Sequence, residues 1–191
     1  MEDVSVVDKT YNEHDFAKTS FQQGEYENCV FNTCDFSAHD FSFSQFVECV
    51  FNNCNLSLVK LSRTAFRETK FIGCKMLGLV FESNKLGLSF SFHNCTLNHS
   101  SFFHTKIAKA IFENSQLLEV DFTGCNATGV VFNQCDLSGT KFENTNLEKA
   151  DFRTAFNYSF DPELNRVKHA KFSHDGLAGL LGKYNIEIEG I

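Results

Sequence analysis

Residues 121–152 read DFTGC NATGV VFNQC DLSGT KFENT NLEKA DF when they are divided into blocks of five. The second residue of each block is Phe, Leu or Ala, and the fifth, which lies two residues before the next apolar position, is usually small. A period of five fits neither an α-helix, with 3.6 residues per turn, nor a plain strand, with alternation every second residue. The chain must therefore turn after each block, which predicts a solenoid.

The same pattern extends over most of the chain. It runs from Tyr11 to Leu86, slips by one residue within residues 87–91, and resumes from Phe92 to Phe152. These 29 repeats contain 17 of the 23 Phe residues. If each block forms one side of a square coil, four blocks make a turn of twenty residues, with the apolar and the small position pointing inward. We predict an all-β solenoid of about seven coils, roughly 35 Å long.

Every fourth repeat should stack in one column, because four blocks complete a turn. The column that begins at Tyr11 is aromatic throughout and crosses the slip without a break. The predicted core ladder consists of Phe31, Phe51, Phe71, Phe92, Phe112, Phe132 and Phe152. Residues 1–160 are accordingly predicted to form the β-helix, and residues 161–191 a C-terminal capping helix and dimerisation tail.

All eight Cys occupy the small inward position. A zinc site would need four ligands that converge on one point, usually from CxxC pairs, and the Cys are not arranged in that way. Adjacent coils do place Cys34 and Cys54 at strand spacing, so that an oxidised pair is sterically feasible. We expect instead that the thiols fill the core as small hydrophobic side chains.

The sequence offers little for catalysis. It contains no GxSxG, P-loop, GxGxxG or HExxH motif, and a filled square rod is not expected to contain a concave pocket. The outward His99 and His104 could contribute to a loose metal site, although no carboxylate is expected beside them. We predict that the chain is not an enzyme and has neither a metal site nor a cofactor. A Cys-dependent hydrolase or redox enzyme is the alternative.

Charge is distributed in bands along a chain whose formal net charge is −7. Residues 1–59 carry −8, residues 60–110 carry +6, residues 111–163 carry −6 and the tail carries +1. Net acidity disfavours direct nucleic-acid binding, which relies on Lys and Arg. The candidate partner-binding surface is the third of these bands, which is acidic and is called the third acidic band below. The alternative is that this band is an ordinary solvated surface. Its residues are Glu113, Glu119, Asp121, Asp136, Glu143, Glu148 and Asp151.

No run of eighteen apolar residues occurs, and the first residues, MEDVSVVDKT, are acidic where a targeting peptide would be basic. These features predict a cytoplasmic protein that does not interact with membranes.

The 29 consecutive repeats resemble the pentapeptide-repeat family, whose members fold as right-handed quadrilateral β-helices. The tail, with Asp161-Pro162-Glu163 and the segment GLAGLLGKYNIEI at residues 176–188, resembles the C-terminal ends of Qnr-type quinolone-resistance proteins and of the microcin B17 immunity protein. This resemblance implies a DNA-mimicking dimer that binds DNA gyrase or topoisomerase IV and protects it from quinolones or a toxin. The chain departs from the enterobacterial Qnr pattern in having no long loops. The alternative function is an interaction scaffold for another bacterial protein, without DNA mimicry.

Local signals in the tail are consistent with a cap. Asp161 can cap a first helical turn with Pro162 at its first position, and Asp175 can cap a second turn. The leucines of this second helix should share one face, and the chain should end in an apolar, alternating strand. The residues predicted to form the dimer interface are Leu177, Leu180, Leu181, Ile186 and Ile188.

Overall fold

The structure is a computed structural model and describes residues 4–13, 16, 21–82 and 88–189. Ten strands form one continuous parallel sheet. The strands are β1 (Val4–Val7), β2 (Thr10–Asn12), β3 (Gly24–Glu27), β4 (Val30–Asn32), β5 (Gln45–Val47), β6 (Val50–Asn52), β7 (Ala65–Ile72), β8 (Leu88–His93), β9 (Ile111–Glu113) and β10 (Val131–Asn133).

Each coil pairs with the coil twenty residues further along the chain. The pairing begins at Val4 with Gly24 and continues through pairs such as Phe31 with Phe51. Isolated parallel bridges join positions outside the regular strands, up to Asp151 with Lys171. The predicted all-β solenoid is thus confirmed. The backbone pairing between coils continues beyond residue 160. Within the described residues no helix is long and apolar enough to cross a membrane.

The inward apolar positions form the core. All seven residues of the core ladder are fully buried, and consecutive rings lie 4.7–5.2 Å apart between centroids. Phe172 extends the ladder by stacking on Phe152 at 5.3 Å and 11°. Neighbouring columns meet edge to face, as Phe112 and Phe122 do at 86°. Both geometries are favourable for aromatic pairs, which explains why the repeat selects Phe.

The small inward position satisfies backbone carbonyl groups. Thr145 Oγ1 donates to the Phe122 carbonyl at 2.7 Å, and Cys54 Sγ donates to the Phe31 carbonyl at 3.2 Å. In both cases the acceptor belongs to the adjacent coil, 23 residues earlier. A thiol or hydroxyl is therefore useful here because it fills a small space and also donates a hydrogen bond.

The coil register changes at the start of β8. Phe66 pairs with Leu88, an offset of 22 residues, whereas Thr69 pairs with Phe90, an offset of 21. The sequence pattern placed Leu86 at the inward position, and Leu86 lies outside the described residues. Phe90, which the five-residue period did not select, is buried with its ring 4.9 Å from Phe92.

The C-terminal cap is built from three short 3-10 helices, which span Pro162–Leu164, Asp175–Leu180 and Gly182–Tyr184. Asp161 caps the first as predicted, because its carboxylate accepts from the Glu163 backbone N–H at 2.9 Å. The capping role predicted for Asp175 is wrong. Asp175 lies inside its helix, and Ser173 Oγ accepts from the Gly176 N–H at 3.1 Å instead.

The final strand predicted in the tail is also wrong. Residues 185–189 form no regular element, and Asn185 ends the last helix in a left-handed conformation. The leucines do not share one exposed face either: Leu180 packs against the core, Leu181 is half-buried and Leu177 is exposed. Short 3-10 helices lack the 3.6-residue period on which that prediction relied.

Candidate protein-binding surface

The four sides of the rod are numbered by their inward residues in the third acidic band. Face 1 contains Phe112, face 2 Leu117, face 3 Phe122 and face 4 Ala127, and equivalent residues recur one coil away. The acidic residues named from the sequence are divided among all four faces. Glu113 and Asp151 belong to face 1, Asp136 to face 2, Asp121 and Glu143 to face 3 and Glu148 to face 4, while Glu119 is at the corner between faces 2 and 3. The structure therefore does not gather them on one side of the rod.

Three of these carboxylates stabilise the turns that they precede. Asp121 accepts from the Thr123 N–H at 2.8 Å, and Asp136 accepts from the Ser138 N–H at 3.1 Å. Asp151 makes the same turn bond to Arg153 and also pairs with its guanidinium at 2.8 and 3.0 Å. Asn55 and Asn126 hold equivalent turns. Asp at this repeat position is therefore explained by local turn chemistry.

The pKa values of Asp136 and Asp151 reflect these bonds. The Arg153 side chain lowers the pKa of Asp151 from its usual value. Burial would raise the pKa of Asp136, but hydrogen bonds from Ser138 and Asn157 outweigh it and leave the pKa lowered. Asp136 and Asp151 therefore remain charged at neutral pH.

Glu113 belongs to a polar chain across three coils of face 1. Its carboxylate lies 2.8 Å from His93 Nδ1 and accepts from Asn133 Nδ2 at 3.0 Å. His93 Nε2 lies 3.1 Å from Ser91 Oγ. The order serine, histidine, glutamate resembles a catalytic triad, but these residues lie on the outer surface of strands whose backbone groups pair with adjacent coils. We interpret this row of polar side chains as a hydrogen-bond ladder between adjacent coils.

The expectation that no carboxylate accompanies His99 is wrong. Glu119 lies on the next coil, with its Oε2 3.3 Å from His99 Nδ1, and both side chains are well exposed. The stacking rule of twenty residues would have revealed both this pair and that of His93 with Glu113. Among the described residues, no group of three or more His, Cys, Asp or Glu could hold a metal ion.

Glu143 and Glu148 are different from the rest of the band. In the described part of the chain neither carboxylate has a hydrogen-bonding or ion-pair partner. Glu143 is exposed and Glu148 is half-buried. The carboxylates of Glu119, Glu143 and Glu148 hold no turn, so their charge can meet a partner without disrupting one.

Burial makes at least three of the thiols poor nucleophiles. All eight Cys are free and buried. Burial raises the pKa of Cys125 to about 11 and those of Cys49 and Cys135 to about 12. Because the thiolate is the reactive form, these three thiols stay protonated and inert near neutral pH. The stacked thiols of Cys54, Cys74 and Cys95 differ, because hydrogen bonds with neighbouring thiols lower the pKa of Cys54 and Cys95 and raise that of Cys74.

The residues predicted to form the dimer interface are only partly available. Leu177, Ile186 and Ile188 are exposed on the cap, as are Leu164 and Tyr184. Lys183 joins the end of the tail to its beginning, because its ammonium contacts Asp161 at 2.8 Å and Glu163 at 2.6 Å. The cap therefore exposes several apolar side chains on a segment whose two ends are joined by ion pairs.

Comparisons with known proteins agree with this architecture. A sequence profile described as a pentapeptide repeat region matches residues 44–122 and 81–152. A trypsin-treated variant of QnrB1, a plasmid-mediated fluoroquinolone resistance protein, has a TM-score of 0.52 at 17% identity, covering 98% of this chain and 100% of that chain. HetL, a pentapeptide repeat protein involved in heterocyst differentiation regulation from the cyanobacterium Nostoc sp. strain PCC 7120, has a TM-score of 0.51 at 13% identity, covering 90% and 85%. No curated protein matches the sequence.

Proposed function

Because the chain belongs to the pentapeptide-repeat family, we propose that it is a non-catalytic, cytoplasmic β-helix that acts by binding a protein, and that this protein is DNA gyrase or topoisomerase IV. The observation that supports a binding role is that inward and outward side chains of each repeat have different tasks. Inward side chains fill the rod with stacked rings, so that the outward side chains are left to determine function.

The choice of a topoisomerase rests on two supporting features. The tail has the Asp161-Pro162-Glu163 turn and the Gly-rich and Leu-rich segment that resemble Qnr-type ends, and the fold is similar to that of QnrB1. The third acidic band would supply negative charge to a surface that ordinarily receives DNA, whose backbone carries about one charge per 1.7 Å. Protection from a quinolone or a toxin would follow from occupation of that surface.

We further propose that two copies associate through the exposed apolar residues of the cap. Association would bring the third acidic band of each copy close to the centre of a rod twice as long. The test is sedimentation of the double variant Ile186→Glu, Ile188→Glu, which should be monomeric under conditions in which the wild type is a dimer. Ile111→Glu, on face 1, is the control. A monomeric wild type at micromolar concentration would overturn this part of the proposal.

A supercoiling assay tests the partner. Purified protein is added to gyrase with and without a fluoroquinolone, and we expect inhibition of supercoiling alone or its restoration in the presence of the drug. If neither occurs at micromolar excess, for gyrase and for topoisomerase IV in the corresponding decatenation assay, the topoisomerase proposal fails.

Charge reversal tests the acidic band. Asp121 and Asp136 hold turns, so we choose Glu119→Lys, Glu143→Lys and Glu148→Lys, which leave the turns intact. The triple variant should lose its effect on gyrase. A matched triple reversal in the first band, at Glu25, Glu27 and Glu48, is the control. An equal loss of the effect on gyrase in both variants would mean that only net charge matters. If the Glu119, Glu143 and Glu148 variant kept its effect on gyrase, the third acidic band would be ordinary surface.

The second candidate is a scaffold for another bacterial protein without DNA mimicry. The division of the seven acidic residues among four faces favours this candidate, because a DNA-binding surface would contact one side of the rod. It predicts that the supercoiling assay is negative while the protein remains folded and monodisperse.

A further inference from the structure

Face 4 of the last four coils is basic. It consists of residues 105–109, 125–129, 145–149 and 165–169, which contain five Lys or Arg residues and a single acidic residue, Glu148. All five basic side chains are exposed, and in the described part of the chain none of them forms an ion pair. We call these four segments the basic face, and its Lys and Arg residues are Lys106, Lys109, Lys149, Arg166 and Lys168.

Backbone pairing holds these residues in register along the rod. Isolated bridges connect one outward column of the basic face from coil to coil, and this column runs Lys106, Asn126, Asn146, Arg166. At the following corner the Lys149 backbone N–H donates to the Lys168 carbonyl at 3.0 Å. A Cβ at Gly129 would lie 3.8 Å from Lys109 Cγ, so the Lys109 side chain extends over the next coil. The positive charges therefore follow the axis of the rod on one side.

The net charge of the chain conceals this surface. The expectation that nucleic acid is not bound directly came from the total of −7, which averages over four faces. On face 4 itself the sign changes along the rod, because residues 25–29, 45–49 and 65–69 contain four acidic residues and one basic residue. Those segments lie at least three coils, roughly 14 Å, from residues 125–129. This distance exceeds the screening length of about 8 Å at physiological salt.

The outward columns next to the basic face, on faces 1 and 3, contain three carboxylates. Asp151 on face 1 pairs with the Arg153 guanidinium at 2.8 Å, and Glu163 on face 3 pairs with the Lys183 ammonium at 2.6 Å. Only Glu143, on face 3, has no partner among the described residues. The basic face itself carries five positive charges and one negative charge, a net charge of +4, so it remains positive beside these neighbours.

The composition of the basic face suits a phosphate backbone better than a protein or a membrane. The cores of protein interfaces are depleted of Lys and enriched in aromatic residues, and membrane-surface segments insert apolar side chains. No large apolar side chain is exposed in these four described segments, where Ile107, Ala127 and Leu147 are fully buried. Asn126 and Asn146 accept turn N–H groups through Oδ1 at 3.2 and 3.0 Å, which leaves their amide donors available. Lys, Arg and Asn are typical donors to phosphate oxygens.

We propose that the basic face binds the sugar–phosphate backbone of duplex DNA, which lies along the rod. Lys106 and Arg166 are three coils apart, roughly 14 Å, and this length corresponds to about four base pairs at about 3.4 Å each. A duplex is stiff over about 150 base pairs, so it can follow a straight side of the rod. The choice of DNA over RNA rests on the proposed function, because gyrase and topoisomerase IV act on duplex DNA.

The test is fluorescence anisotropy with a fluorescein-labelled DNA duplex of about 20 base pairs, in salt between about 50 and 200 mM. Wild-type protein should bind it, and a plot of log K against log salt should have a slope of about −4, since each neutralised phosphate contributes about −0.9. The triple variant Lys109→Gln, Lys149→Gln, Lys168→Gln should bind at least about tenfold more weakly. Its salt slope should be shallower by about two to three.

A matched variant separates the basic face from net charge. Lys60→Gln, Lys70→Gln, Lys75→Gln removes the same charge from exposed positions on faces 3, 1 and 2, and it should bind the duplex as the wild type does. Circular dichroism checks that both triple variants are folded. No binding by the wild type, or an equal loss of affinity in the two triple variants, would overturn the inference.

Competition identifies the class of occupant. Poly-L-glutamate at equal charge concentration should displace the duplex at least about tenfold less effectively, because its charges are carried by a flexible chain. Equal displacement would assign the basic face to an acidic protein and overturn the proposal. Tighter binding of an RNA duplex of the same sequence would overturn the choice of DNA.

The supercoiling assay distinguishes this inference from the proposed function. A protein that coats DNA could slow supercoiling by itself, so the assay is repeated with the Lys109, Lys149 and Lys168 variant. A retained effect on gyrase would show that the enzyme is bound without the basic face. Loss of the effect together with DNA binding would attribute it to DNA and overturn the topoisomerase proposal. A wild type that affects gyrase but does not bind the duplex would leave the proposed function standing without the basic face.

Discussion

At the scale of the residue, the inward aromatic position is held by contacts in four directions. The Phe112 ring lies 5.0 Å from Phe92 and 5.2 Å from Phe132 in its own column. It also meets Phe102 and Phe122 edge to face at 5.9 and 6.0 Å. A smaller side chain would leave a cavity that the stacked coils cannot close, because each neighbouring ring is fixed by its own column.

We therefore predict that Phe112→Ala lowers the free energy of unfolding by about 3–5 kcal/mol, as measured by denaturant titration. The control is Phe43→Ala at an exposed Phe, which should change stability by less than about 0.5 kcal/mol. A similar loss for both variants would contradict the assignment of the core.

At the scale of the repeat, most corners between two sides hold a residue in the left-handed conformation. Asn28, Asn53 and Asn94 are at such corners with φ near 50°, a conformation that Asn tolerates better than most residues. Thr33 occupies an equivalent corner with φ 54°, although a β-branched side chain is strained there.

Thr33→Asn should therefore stabilise the protein by about 0.5–1 kcal/mol. Thr123→Asn is the comparison, because Thr123 is not at a positive-φ corner, and it should give no such gain. Thermal unfolding of the two variants measures the difference. A destabilised Thr33→Asn would show that the Thr side chain makes a contact worth more than the backbone strain.

The turns also determine the response to acid. The Ser37 backbone N–H and hydroxyl lower the pKa of Asp35, and the Ser42 hydroxyl and N–H lower that of Asp40. Each carboxylate thus binds fewer protons in the folded than in the unfolded chain. The stability that they contribute is present above the unfolded-state pKa of about 4 and is lost as the pH falls through the lower folded-state pKa.

We expect the denaturation midpoint to fall as the pH is lowered from 5 to 3, roughly across the unfolded-state pKa of Asp. The double variant Asp35→Asn, Asp40→Asn should show a smaller fall, because an Asn side chain makes the same turn bond at Asn55 and Asn126. Glu143→Gln, at a carboxylate without a partner, should leave the acid response as in the wild type. Identical acid responses in all three proteins would exclude the turn carboxylates as its cause.

At the scale of the whole molecule, the cap closes the C-terminal end of the rod through close backbone contact. The Phe160 N–H donates to the Gly179 carbonyl at 3.1 Å, and a Cβ at Gly179 would collide with the Tyr158 carbonyl oxygen. The approach is possible only because residue 179 has no side chain.

Gly179→Ala should therefore displace the cap and lower the free energy of unfolding by about 1–3 kcal/mol. Gly182→Ala is the control, because its Cβ would meet only Ser159 Oγ, at 3.3 Å. Denaturant titration measures stability, and tyrosine fluorescence reports exposure of Tyr158, which is buried in the wild type. Equal effects of the two substitutions would mean that the cap does not depend on this contact.

Much of the fold could be predicted because the five-residue period fixes the inward columns, including the ladder from Phe31 to Phe152. Phe90 was missed because the coil changes length just before it, and a period cannot say where a longer coil returns to the core. The cap was predicted imperfectly because its 3-10 helices are too short to show a period. The pairs His93 with Glu113 and His99 with Glu119 were available from the spacing of twenty residues. The local role of Asp121 and Asp136 was not, because turn bonds depend on side-chain orientation.

The ladder of identical steps also makes the rod a ruler. Each coil adds one spacing of about 4.8 Å and contacts only the coils beside it. A partner that contacts one column therefore meets new side chains at multiples of this spacing. The distance from any of these contacts to the cap is likewise a whole number of coils. Removing residues 112–131, one full coil, would shorten the rod by a single unit and leave Phe92 stacked on Phe132, so that the spacing between surfaces can change without any change in their orientation.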